Sequence, residues 1–69
     1  MPLLSLTVNG DTHTTAEGTT LEGLLDVLGI RKSSVVVERN GQVVERSRLA
    51  AVLLEPEDRL EIVRFVAGG

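Results

Sequence analysis

Residues 17–29, EGTTLEGLLDVLG, are where the apolar spacing of the chain changes, and how they are read decides the fold. Leu21, Leu24, Leu25 and Leu28 recur at intervals of three and four, which stacks them on one stripe of an α-helix. Thr19 followed by Glu22 fits a capping box, in which each side chain satisfies a free backbone N–H at the helix start. Gly29 is placed to end the helix in the left-handed conformation. Gly23, inside it, costs about 1 kcal/mol relative to alanine, so packing must hold this helix together. A lone helix with one apolar stripe needs a sheet to cover it.

The flanks supply that sheet. Before the helix, LLSLTVNGDTHTTA (3–16) reads as two strands around an Asn-Gly turn. Alternation puts Leu4, Leu6 and Val8 on one face and Leu3, Ser5 and Thr7 on the other. The second strand, Asp11 to Ala16, is threonine-rich and polar, as suits a sheet edge. After the helix, SSVVVERNGQVVE (33–45) gives a third strand, a second Asn-Gly turn and a short fourth strand. RSRLAAVLL (46–54) reads as one helical turn leading into an extended segment, and EPEDR (55–59) as a turn with Pro56 pre-setting one backbone angle. LEIVRFV (60–66) is the last strand. The first and last strands are the most apolar, so both are expected at the centre, side by side. The predicted fold is α+β: a β-grasp arrangement, with a mixed sheet of four to five strands packed on one α-helix. Residues 1–65 form a single domain and 66–69 a flexible C-terminal Gly-Gly tail.

Composition narrows the function. A chain of 69 residues buries only roughly 60% of its unfolded surface, so a substrate-sized internal cavity would remove core it cannot spare. That disfavours an enzyme with a deep pocket and favours a carrier, binding module or small subunit. The formal charge is −3 with no Lys/Arg cluster, and Phe65 is the only aromatic residue, so nucleic-acid binding lacks its raw material. With no cysteine there is no disulfide, zinc thiolate or internal thiol nucleophile, and any sulfur chemistry must be received from elsewhere. MPLLSL is too short and uncharged for a signal peptide, and no apolar run reaches membrane-spanning length, so the cytoplasm is the expected address.

The last strand and its tail carry the candidate site. Alternation sends Leu60 and Ile62 to the core, and Glu61, Val63 and Phe65 to the opposite face. Val63 and Phe65, with Glu61 beside them and Val36 of the third strand extending the set, read as a docking patch. Single exposed apolar residues are the alternative. Beyond Phe65 lie Val66, Ala67, Gly68 and Gly69, four residues that reach about 13 Å when extended. Gly68 and Gly69 can pass a channel too narrow for other residues, with Ala67 close behind. A terminal carboxylate has a reference pKa of about 3.5 and is ionised at neutral pH, ready to attack an activated phosphate. A frayed glycine end is the alternative.

VNG (8–10), EGTTLEGLL (17–25), the second NG (40–41) and VRFVAGG (63–69) occur in an order that resembles the ThiS family, the sulfur carriers of thiamine biosynthesis. The resemblance spans essentially the whole chain. It implies a ubiquitin-like β-grasp fold and a carrier that is no enzyme itself. Gly69 would be adenylated with ATP by a ThiF-type enzyme and converted to a thiocarboxylate with sulfur from a donor such as a cysteine desulfurase. It would then give that sulfur to the thiazole synthase ThiG. The chain would bind no cofactor; ATP and magnesium belong to the activating partner. Three features depart from the family: EPED stands where an Asp-Gly-Asp type turn is common, Ala67 where many relatives have glycine, and Arg39 and His13 where small apolar residues would suit the inner face. The small subunit of molybdopterin synthase, a protein modifier joined through Gly69, and a pure interaction module remain open. His13 reads as a solvated or structural histidine, Glu55, Glu57 and Asp58 as a solvated loop, and Arg46 and Arg48 as surface charges that at most tune encounter with an acidic patch.

Overall fold

The computed structural model describes residues 2–65. Both Asn-Gly pairs turn the chain in the way their chemistry permits: Asn9 and Gly10 have φ 51 and 86, and Asn40 and Gly41 have φ 53 and 86. Two successive positive φ angles define the tight hairpin turn whose twist matches that of its strands. The first turn joins β1 (Leu3–Val8) to β2 (Asp11–Ala16), and the second joins β3 (Val35–Arg39) to β4 (Gln42–Val44). Between the hairpins lies α1 (Leu21–Val27), and β5 (Arg59–Arg64) closes the set. The sheet order is β2-β1-β5-β3-β4. The first and last strands are neighbours, paired in parallel, and the other pairings are antiparallel. Single 3₁₀ turns span Lys32–Ser34 and Arg46–Arg48. The second leads, as expected, into an extended segment that bridges Leu53 to Thr20.

Leu4, Leu6 and Val8 of β1, Val35 and Val37 of β3, and Leu60 and Ile62 of β5 point to one side of the sheet. There they meet Leu21, Leu24 and Leu25 of α1, with Leu49 and Leu54 completing the core. His13 stands opposite Leu6 in the register, half-buried at the sheet margin.

The capping box is corrected. Thr19 donates its hydroxyl to Ala16 O at 2.7 Å and so closes the turn out of β2. Thr20 is the N-cap, its Oγ1 accepting from Gly23 N at 3.0 Å. The reciprocal partner would be residue 23, a glycine, and no box forms. The first helical donors go instead to the second 3₁₀ turn's exit and the segment after it: Glu22 N to Leu49 O and Leu21 N to Val52 O, at 3.1 and 2.9 Å. These bonds satisfy N–H groups that every helix start leaves open. At the other end Gly29 has φ 71, as expected of it. Gly29 N bonds Asp26 O and Ile30 N bonds Leu25 O, a Schellman closure.

The turn at 55–58 keeps a type II shape without its glycine. Asp58 N bonds Glu55 O at 3.2 Å, and Glu57 takes φ 67. A type II turn demands that sign of φ at its third residue. The β-strand reading of 60–66 shifts to Arg59–Arg64, and Val66 lies outside the described residues.

Candidate functional site

β5 is the strand that leads towards the tail, and its two neighbours hold it differently. On one side β3 pairs with it along its whole length, with Val35 opposite Arg64, Val36 opposite Val63 and Glu38 opposite Glu61. Phe65 N continues the ladder to Ser34 O at 3.0 Å. On the other side β1 stops at Val8, and the side chain of Asn9 takes over. Its Oδ1 accepts from Ile62 N at 2.7 Å and its Nδ2 donates to Ile62 O at 3.2 Å. An amide side chain presents an N–H donor and a carbonyl acceptor side by side, matching the N–H and C=O that one strand residue offers to its neighbour. Asn9 therefore extends the β1 edge by one unit beyond the point where the chain turns away. In the sequence Asn9 is marked only as a turn residue.

The outer face brings the residues of the expected patch together. Val63 and Phe65 are 55% and 45% exposed, and Val36 lies directly across from Val63, half-buried. Val43 of β4, 63% exposed, stands opposite Glu38 and therefore diagonal to Val36. The apolar stripe thus crosses three strands, from Val43 through Val36 and Val63 to Phe65. Val43 and Glu38 were missed, although a two-residue hairpin fixes the pairing of residues 38 and 43. Glu61 sits on the same face directly opposite Glu38. Like charges across a strand pair disfavour each other, so these two carboxylates form an acidic margin to the stripe.

The acidic turn is solvated at Glu55 and Glu57, as expected, and is corrected at Asp58. Asp58 is 4% exposed. Its Oδ2 accepts from Arg39 Nε and from Glu55 N, both at 2.9 Å, and its Oδ1 from Asn40 Nδ2 at 3.0 Å. Arg39 reaches on to Glu55 at 3.0 Å. Burial alone would raise the Asp58 pKa, but the hydrogen bonds from Glu55, Asn40 and Arg39, with the Arg39 charge, together hold it below the ordinary carboxylate value. This network explains Arg39 on an inner-facing position: it ties the β3–β4 hairpin to the start of β5. It lies at the far end of β5 from Phe65. Arg46 and Arg48 are exposed on their 3₁₀ turn. Ala67, Gly68 and Gly69 lie outside the described residues.

A family model described as the ThiS family matches residues 6–69. The crystal structure of a thiamine biosynthesis protein (ThiS) from Geobacter metallireducens superposes with a TM-score of 0.83 at 36% identity, covering 96% of this chain and 100% of that one. Thiazole synthase from Magnetococcus marinus is 46% identical over 66 residues, and that from Paramagnetospirillum magneticum 39%. The aligned part is 96% of this chain but 20% of each synthase, so the chain spans about a fifth of the length of these relatives.

Proposed function

The chain belongs to the ThiS family, and from that premise we propose that it is a sulfur carrier of thiamine biosynthesis whose working group is the α-carboxylate of Gly69. One observation carries this reading: the family match runs through the Gly-Gly pair to Gly69, in a chain 36% identical in sequence to a thiamine biosynthesis protein of the same fold. The thiazole synthases support a thiazole synthase of the ThiG type as the acceptor of the sulfur. The shared fold alone would also suit a molybdopterin synthase small subunit; these relatives favour the thiazole branch.

In this account the Gly69 carboxylate attacks the α-phosphorus of ATP on a ThiF-type enzyme, and pyrophosphate leaves. The terminal sulfur of a persulfide on a donor such as a cysteine desulfurase then attacks the acyl carbon and displaces AMP, and a thiol reductant cleaves the resulting acyl disulfide to leave the thiocarboxylate. ATP and magnesium are the enzyme's to hold. The chain contributes a slender approach and a grip. Ala67, Gly68 and Gly69 thread the channel, while Val36, Val63 and Phe65 rest against the surface outside it and Glu61 meets a cationic group there. The chain is a co-substrate, consumed and regenerated, rather than an enzyme, and the proposed reactions place it in the cytoplasm. No helix among the described residues is long and apolar enough to cross a membrane.

The test is a reconstitution with ATP, magnesium, a ThiF-type enzyme and a sulfur donor, followed by addition of either thiazole synthase or the large subunit of molybdopterin synthase. The expected result is a mass gain equal to exchanging one oxygen for sulfur, discharged by thiazole synthase. Discharge by the molybdopterin subunit alone would move the chain to the other pathway.

A further inference from the structure

Where β5 ends, the loop after α1 and the start of β3 leave an open cleft of about 300 Å³. Gly29, Ile30, Arg31, Ser34, Arg64 and Phe65 line it. Gly29, turning with φ 71, presents no side chain to it, and Arg31 and Arg64 are both exposed. Ion pairs among the described residues use Lys32 and Arg39, with Glu22, Glu55 and Asp58 as partners. Neither Arg31 nor Arg64 has a carboxylate within that set. The chain carries ten acidic residues against seven Lys and Arg, so two guanidinium groups on one small cleft, unpaired among the described residues, run against its net sign.

We propose that this cleft receives an acidic side chain of the adenylating enzyme, seated on the rim of the channel that takes the tail. The proposal rests on the carrier reading above and names the chemistry of the partner's contact. A guanidinium offers paired N–H donors that match a carboxylate, and the Ser34 hydroxyl adds a further donor beside them. The volume lies at the bottom of the range for small-molecule sites and the cleft is open, which suits one side chain rather than a nucleotide. Distance argues the same way. Four residues reach up to about 13 Å, enough to carry Gly69 to a nucleotide held away from the cleft. The enzyme must also hold an anionic chain and anionic ATP together, and a focal cationic contact offsets that repulsion, chiefly through the rate of encounter. Phe65 belongs to both the cleft and the apolar stripe, so the anion contact continues the docking surface around the base of the tail.

The experiment compares the whole chain with R31E/R64E, R31Q/R64Q and R46E/R48E, the last changing net charge as much as the first. Pyrophosphate release by the ThiF-type enzyme is measured against carrier concentration at low and raised salt, with thermal melts to verify folding. The expected result is a KM raised about tenfold for R31E/R64E with kcat nearly unchanged. The glutamine pair should fall between, and R46E/R48E within about twofold of the parent. Raised salt should narrow the gap, and a Lys replacing the acidic rim residue should restore R31E/R64E. Equal effects of R31E/R64E and R46E/R48E would overturn the proposal. So would ATP or inorganic phosphate shifting the Arg31 and Arg64 NMR signals of the free chain, which would make the cleft a phosphate site. If the parent chain releases no pyrophosphate with an enzyme active on another carrier, the carrier reading falls as well; if the parent is active and R31E/R64E behaves like it, the cleft alone is refuted.

Discussion

At its beginning β5 grows out of a turn whose carboxylate, Asp58, is buried and accepts three hydrogen bonds from Arg39, Asn40 and the Glu55 backbone. At its other end the same strand runs out between exposed Val63 and Phe65, with Arg64 beside an open cleft. One end has its polar groups answered inside the molecule; the other presents apolar and cationic groups that the described residues leave exposed. Asn9 stands between the two regimes, the last internal support on the β1 side. Under the docking role proposed for the open end, stability and recognition are separated along a single strand, so substitutions at its two ends should fail in different assays.

The largest effect is expected at the closed end. Asp58→Ala leaves Arg39, Asn40 and the Glu55 N–H without their shared acceptor and should cost about 3 kcal/mol. For a domain of this size that is a large part of the total. Urea unfolding should record it, while carrier activity at temperatures where the variant stays folded should be near normal. Loss of activity in a fully folded Asp58→Ala would break the contrast. Acid tests the same network without mutation. Because the folded-state pKa of Asp58 lies below its unfolded value, its contribution is fully present above the unfolded value, about 4. It is lost as pH falls through the folded value. The parent should therefore lose stability in that acid window more steeply than Asp58→Asn.

The open end should show the reverse. Phe65→Ala is expected to change stability by less than about 0.5 kcal/mol but to weaken binding to the adenylating enzyme by about tenfold or more, the loss of an aromatic anchor. Calorimetry of the complex reads this directly, and undiminished affinity would remove Phe65 from the docking surface. Between the ends, Asn9→Gly keeps the turn, since glycine accepts its positive φ. It removes both bonds to Ile62 and should cost about 1 kcal/mol. Hydrogen exchange should show the loss of protection at the Ile62 amide first. The smallest effect is a gain: Glu57→Gly relieves a left-handed conformation and should stabilise by about 0.5–1 kcal/mol.

These cases also show what was legible in the sequence. Period alone gave both hairpins, the helix and the outward faces of Val36, Glu61, Val63 and Phe65, because alternation is local and the hairpin turns fix register. Val43 was within reach of the same rule. The cap was misplaced by one residue because Thr19 and Thr20 are chemically equivalent. Only the contact of the helix start with residues 49–54 separates their roles. The Asp58 network and the Asn9–Ile62 pairing join residues up to 53 positions apart, and no local pattern encodes such a meeting. Arg31 and Arg64 look like scattered surface charges until the fold brings them to one cleft.

The central claim is that Gly69 is the group on which the sulfur travels. Fragment-ion mass spectrometry of the chain after incubation with ATP, a ThiF-type enzyme and a sulfur donor tests it most directly. The account predicts that the oxygen-to-sulfur exchange lies wholly on the C-terminal fragment ending at Gly69 and is absent from a chain lacking that residue. A sulfur found on any other residue, or an unmodified chain beside an enzyme that modifies another carrier, would contradict it.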